Sequence, residues 1–346
     1  MRSEQNRRSF IKTSALTAAG IGLGINGFAE NLGPVSKQLV AEGIRVGIIG
    51  LDTSHSIAFT KALNNPAAGP EFGGFKVVAA YPYGSREIQS SFDRISGYTV
   101  EMKTLGVEIT DSIADLLKKV DFILLETNDG RLHLEQALEV IKAGKRFFID
   151  KPIAASLADA AAIFAAAKKA NVSVFSSSSL RYTTGAQELA AGKLGKVLGA
   201  DTYSPCHLES THPDLFWYGI HGVESLFTVM GTGCKEVVRV STPDTDVVTG
   251  TWSDGRVGTF RGTRSGKAGY GGTVFAEKGT APIGDYGGYN PLLIRIIDFF
   301  KTGLVPVSSV ETLEICAFME AADVSKKMGG TPVSLDSMFS KASLKR

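Results

Sequence analysis

The 346-residue chain has few cysteines, only two tryptophans and almost no net charge. Its three cysteines, Cys206, Cys234 and Cys316, stand far apart in odd number, which is neither a disulfide framework nor a zinc pattern. They read as small buried residues, the usual place of free cysteine. A formal net charge of +2 excludes the basic stripe that nucleic acid or an anionic membrane surface would require. The densest basic groups, Arg7-Arg8 and Lys326-Lys327, are pairs only. What remains is an ordinary globular composition, 43% hydrophobic and 21% charged. The length is comfortable for two domains, and a core of that size needs no disulfide staples.

The first segment reads as an address. Asn6-Arg7-Arg8-Ser9-Phe10-Ile11-Lys12 resembles the twin-arginine export motif. An apolar run rich in Ala and Gly follows from Ala15 to Phe28, and Gly27-Phe28-Ala29 offers small residues for cleavage. The run is short and Gly-rich for a membrane span. Residues 1–29 are therefore expected to be a signal peptide read by the twin-arginine machinery. The mature chain is expected to be periplasmic or otherwise exported, with no membrane segment. That route carries folded proteins, often around a cofactor.

From Ile44 the chain alternates short β-branched runs with helical stretches. Ile44–Ile49, Phe75–Tyr81, Val107–Ile109, Asp121–Glu126 and Arg146–Asp150 read as buried strands. Ser112 can cap a helix from Ile113, and Gly144 can end one that begins near Leu132. Such alternation implies a doubly wound parallel sheet, whose ligands sit outside the carboxyl ends of the strands. From about Ala200 the texture changes to short β-rich runs separated by turns such as Ser253-Asp254-Gly255, which suits an open, mainly antiparallel sheet. The expected fold is α/β: an N-terminal doubly wound parallel Rossmann sheet, residues 43–155, and an α+β C-terminal domain, residues 156–335. Residues 336–346 are expected to be a tail.

Several motifs then stand in one order. Gly144-Lys145, Asp150-Lys151-Pro152 and an Ala-rich helix from about Ser156 to Ala170 are followed by Arg181 and Gly192-Lys193-Leu194-Gly195-Lys196. With Thr127-Asn128, His133 and the tail from Ser309 to Pro332-Val333, they resemble the glucose–fructose oxidoreductase / inositol dehydrogenase / MocA (Gfo/Idh/MocA) family. The likeness runs from Ile44 to about Leu335. It implies NAD or NADP as cofactor and a sugar, polyol or glycoside as substrate. It also implies an oligomer, formed through the open second sheet. Some relatives keep one cofactor and recycle it internally.

The cofactor loop departs from the family pattern. Where the family has G-x-G-x-x-G, this chain has Gly50-Leu51-Asp52-Thr53-Ser54-His55. Asp52 would lie near the two phosphates, where like charge repels. The start of the helix, with the Thr53 and Ser54 hydroxyls and His55, is expected to replace the lost glycine contacts. The second strand ends without an acid, so Ser85 and Arg86 are candidates for a 2′-phosphate. Thr127, Asn128, His133, Asp150 and Lys151 complete the cofactor-binding set.

The reacting groups are expected in Phe216-Trp217-Tyr218-Gly219-Ile220-His221. His221 matches the catalytic histidine of the family, but Trp217 stands where the family has Asp. An imidazole near neutral pH suits removal of a hydroxyl proton, and the Lys151 ammonium would stabilise the alkoxide. Arg181, Trp217 and Tyr218 are candidate substrate contacts. His207, Glu209, His212 and Asp214 form a loose polar cluster without metal-ligand spacing, and no metal is expected. The leading expectation is an NAD(P)-dependent oxidoreductase. The alternative is a non-catalytic carbohydrate-binding protein with a degenerate cofactor loop.

Overall fold

The parallel strands form where apolar, β-branched residues can be buried on both faces. In the computed structural model, which describes residues 43–344, the first strand β1, Ile44–Ile49, is buried along its last four residues. The expected signal peptide lies outside the described residues. After β1 come α1 (Ser54–Leu63), β2 (Phe75–Tyr81), α2 (Gln89–Thr104), β3 (Glu108–Ile109), α3 (Ile113–Lys119) and β4 (Phe122–Leu125). Then follow α4 (His133–Lys142), β5 (Phe147–Ile149), α5 (Leu157–Lys169) and β6 (Val174–Ser176). The six strands pair in the order β3-β2-β1-β4-β5-β6. The order reverses between β1 and β4, the place where doubly wound sheets bind ligands.

Local chemistry sets the helix starts. Thr53, Ser112 and Ser156 each accept a backbone N–H at the first turn of α1, α3 and α5. α2 was not foreseen. Its sequence is polar and mostly exposed, with only Ser91 and Met102 buried, so no apolar stripe announces it. β6 lies beside β5, and α5 is the crossover between them. The parallel sheet therefore continues to Ser176, past residue 155, where the sequence reading closed it.

The second sheet follows a short helix, α6 (Thr184–Ala190), and begins with β7 (Val197–Pro205). A π-helical turn, Leu215–Gly219, leads into α7 (Ile220–Met230). Then come β8 (Cys234–Ser241), β9 (Thr245–Trp252), β10 (Val257–Thr263), β11 (Gly271–Ala276) and β12 (Gly279–Pro282). Two longer helices follow, α8 (Asn290–Thr302) and α9 (Ser309–Lys327), then β13 (Val333–Ser334) and α10 (Leu335–Lys341). The strand order is β12-β11-β7-β10-β9-β8-β13. Only β7 and β10 run parallel; the other described pairs are antiparallel, so the sheet is mixed and mainly antiparallel, as expected. The expected tail is instead the helix α10, capped by Ser334 and held by buried Leu335, Met338 and Phe339.

Two packing features position the site. α8 carries Phe299 and Phe300 back to the first sheet, where they meet Phe175 and Phe122 at ring distances of 4.9 and 4.8 Å. Such aromatic pairs contribute about 0.5–1.5 kcal/mol each beyond burial. α7 is buried from Ile220 to Met230 and packs on β7 and β10. It carries His221 at its first turn. Gly222 beside it admits the ring of Phe260: a Cβ there would meet Phe260 Cε2 at 2.2 Å. Gly222→Ala is therefore expected to cost about 1–3 kcal/mol through overpacking, read as a lower midpoint in denaturant with an unchanged slope.

Candidate active site

Loops at the carboxyl ends of the first sheet build the site, and Asp52 ties them together. Gly50 ends β1 with φ 92°, and its N–H bonds the Tyr81 carbonyl at 2.9 Å. A Cβ at Gly50 would meet the Thr127 amide nitrogen at 2.5 Å, so only glycine fits. Asp52 is fully buried. Its Oδ2 accepts the Ser85 amide at 3.0 Å and its Oδ1 the Asn128 amide at 2.9 Å. One amide follows β2 and the other β4, so one carboxylate joins the loops flanking β1. Burial pushes the Asp52 carboxyl up to about 6, and the two amides oppose that rise.

The start of α1 is left open to a cavity of about 360 Å³. Thr53 Oγ1 caps the helix by accepting the His55 amide at 3.2 Å. Thr53 and Ser54 line the cavity with Arg94, Asn128, Lys151 and His221. Arg94 Nη1 also donates to the Asp52 carbonyl at 3.3 Å. A helix N-terminus faced by a guanidinium is a donor set for phosphate oxygens. A second cavity, of about 520 Å³, lies beyond the ends of β2 and β3, between Tyr81, Tyr83, Arg86 and Phe92. There the Arg86 guanidinium sits 5.2 Å from the Tyr83 ring centre.

Lys151 and His221 reach the first cavity from different elements. Lys151 follows β5, and its Nζ lies 3.8 Å from Asp150 Oδ2. His221 Nδ1 lies 2.8 Å from Ser178 Oγ, in the turn after β6. Burial, then the positive charges of Lys151 and His55, hold the His221 proton affinity well below the usual histidine range, while Asp150 opposes them. His55 faces inward as well, with Nδ1 3.0 Å from Asp150 Oδ1 and 3.7 Å from Glu126 Oε2.

The other expected site residues divide. Asn128, Trp217 and Tyr218 line the cavity. Arg181 does not: its Nε bonds Glu224 Oε1 at 2.8 Å and its Nη2 pairs with Glu311 at 2.7 Å, under nearly complete burial. His133 is fully buried, its Nε2 2.6 Å from the Thr127 carbonyl oxygen, so it braces two loops instead of facing a cofactor. Ser85 donates its hydroxyl to Asp129 Oδ2 at 2.9 Å and is not free for a phosphate. Thr127 is buried against Gly50, and Asp150 is buried under His55. In each case a loop that should present a side chain spends it on holding its neighbour.

The loose cluster from His207 to Asp214 is scattered. His212 Nε2 reaches Asp129 Oδ1 at 3.1 Å, Asp214 pairs with Arg239 and Lys326, and His207 alone lines the cavity. Glu224, one turn beyond His221, is spent on Arg181 and likewise does not reach the cavity. Sequence reasoning missed Arg94, which rides on the unforeseen α2, and three aromatics: Tyr270, Tyr286 and Tyr289. Tyr270 OH lies 3.0 Å from Tyr218 OH, and the Tyr218 ring is 5.1 Å from that of His221. The run Asp285-Tyr286-Gly287-Gly288-Tyr289 carried the available signal, two aromatics held by glycines.

Residues 44–178 match the family model described as oxidoreductase family, NAD-binding Rossmann fold, GFO_IDH_MocA. A 1,5-anhydro-D-fructose reductase of Ensifer adhaerens is 30% identical over 172 residues, 44% of this chain and 51% of the relative. The chain thus spans about half the length of the curated relative it matches. A probable dehydrogenase from Thermotoga maritima superposes with TM-score 0.68 at 20% identity, covering 85% of this chain and all of that one. A scyllo-inositol dehydrogenase from Lactobacillus casei, solved with NAD(H) and scyllo-inositol, gives 0.66 at 15% identity over 85% of this chain and 99% of that one. Both show the same two-sheet fold.

Asp52 stands where the dinucleotide-binding pattern G-x-G-x-x-G has its second glycine, and its bonds determine what its removal does. Asp52→Gly strands the buried Ser85 amide and the half-buried Asn128 amide, at about 1–3 kcal/mol for the buried one and less for the other. The melting temperature is expected to fall and NAD affinity to stay level or weaken. A gain in NAD affinity would show that Asp52 repels the cofactor.

Proposed function

We propose that the chain is an NAD(P)-dependent oxidoreductase acting on a sugar, polyol or glycoside. One observation carries the reading: a lysine ammonium and an imidazole of lowered proton affinity share a cavity with an open helix N-terminus and Arg94. The donor set suits a dinucleotide. Thr53, Ser54 and Arg94 would hold its diphosphate, and the cavity between Tyr81, Tyr83 and Arg86 would take the adenosine end. Arg86 is exposed there and is the residue able to meet a 2′-phosphate, since Ser85 is occupied. Bound in this way, the nicotinamide would accept or return a hydride.

The protein's own residues handle the proton and the substrate. When His221 Nδ1–H donates to Ser178 Oγ, Nε2 is left to take the substrate hydroxyl proton. The Lys151 ammonium stabilises the alkoxide as it forms and keeps the imidazole neutral beforehand. In this way Lys151, rather than a carboxylate at position 217, tunes the base. Trp217, Tyr218 and Tyr286 offer rings to the apolar face of a sugar. Trp217 is also what favours the second reading, a carbohydrate-binding protein without turnover.

The proposal extends to export and assembly. The twin-arginine motif supports a periplasmic or otherwise exported protein that carries its cofactor with it. Exposed Tyr203, Val240, Val257 and Phe275 on the second sheet support a homo-oligomer.

His221→Ala and Lys151→Ala are each expected to lower kcat/KM by about 10²–10⁴-fold while NAD still raises the melting temperature. Full activity in both variants would overturn these two roles, and a wild type without turnover would leave the binding-protein reading. The pH profile gives a second check. A base of lowered proton affinity stays neutral into acid, so the acid limb of kcat/KM should fall below about 6.5. In Lys151→Met the largest opposing charge is gone, and the residual activity should show that limb moved upward. An unmoved limb would assign the titration to another group.

A further inference from the structure

His55, Glu126 and Asp150 come from the start of α1 and the ends of β4 and β5, and the fold brings them together under the cavity. Each offers one ligand atom, and the three atoms lie within 4.8 Å of one another. His55 Nδ1 is 3.0 Å from Asp150 Oδ1 and 3.7 Å from Glu126 Oε2. In a tetrahedral zinc site with bonds of about 2.0–2.2 Å, ligand atoms stand about 3.4 Å apart. The observed spacing brackets that value.

A second observation concerns Glu126 itself. It is fully buried, and neither of its carboxylate oxygens has a hydrogen-bond partner. Asp150 Oδ2 also lacks one. Buried carboxylate oxygens are normally satisfied. A cation satisfies the orphaned oxygens and the charge together. Lys151 Nζ, 3.8 Å from Asp150 Oδ2, offsets one of the two carboxylates and leaves the other to be met.

We propose that His55, Glu126 and Asp150 form a site for a divalent first-row metal ion. One imidazole and two carboxylates suit Zn²⁺ or Mn²⁺. Three protein ligands leave a further position, the pattern of catalytic rather than structural zinc. His55 lines the cavity, so that position would go to a water or a substrate hydroxyl beside Lys151. Sequence spacing gave no hint of the site, because its ligands come from three separate strand and helix ends.

The ion binds on this proposal whether or not the oxidoreductase reading holds, and the test does not use turnover. The full chain is stripped with EDTA, refilled with Zn²⁺ or Mn²⁺, desalted and assayed for metal and melting temperature. Wild type should retain about one equivalent and melt higher with metal than without. His55→Ala and Glu126→Gln should lose both the equivalent and the shift. Glu126→Gln should also melt at or above the stripped wild type without metal, since it removes an uncompensated buried charge and keeps the shape. Absence of stoichiometric metal in the wild type overturns the site, as does retention of an equal shift by both variants. NAD-induced stabilisation, measured on the same samples, reports on the cofactor reading separately.

Discussion

A single buried carboxylate holds the ligand-facing edge of this protein in place. Asp52 accepts backbone amides from the loops after β2 and β4, and its own carbonyl accepts a hydrogen bond from Arg94. Replacing a glycine of the dinucleotide loop by an acid would ordinarily set a negative charge against two phosphates. Here the charge is turned into the protein and used to fasten the loops on either side of β1. The start of α1 keeps its open N–H end, and Arg94 supplies a cation near it. The loop keeps Gly50 and, with it, its electrostatic sense.

The same economy runs through the strand tips. Asp52, Glu126 and Asp150 form an acidic layer beneath a cavity that presents Arg94, Lys151, His55 and His221. Burial, and then the positive charge of Lys151 and His55, keeps His221 neutral, while Asp150 opposes them. Arg181 and Glu224, which could have served the cavity, form a buried pair that fixes the turn carrying Ser178. Ser178 then holds His221. Chemistry at the cavity thus depends on side chains that never touch it.

The architecture was legible wherever burial leaves a periodic trace. β1, β2, β4 and β5 are apolar runs, and caps at Ser112 and Ser156 mark their helices. α2 was invisible because its exposed surface has no stripe, and Arg94 was lost with it. The pairing of Lys151 with His221 was readable from the order of motifs. The inward turn of Asp52, the bracing role of His133 and the ion pairs of Arg181 were not, because each depends on which neighbour the fold supplies. Glu126 illustrates the limit. A charge at the end of a buried strand looks like a boundary, and only the approach of His55 and Asp150 gives it a chemical meaning.

The most direct measurement is a crystal structure of the protein grown with saturating NAD. The diphosphate should lie across Thr53 and Ser54 within reach of Arg94, the nicotinamide should lie between Lys151 and His221, and Asp52 should still bond the amides of Ser85 and Asn128. A diphosphate found elsewhere, an Asp52 swung into its path, or a cleft without cofactor would contradict the account.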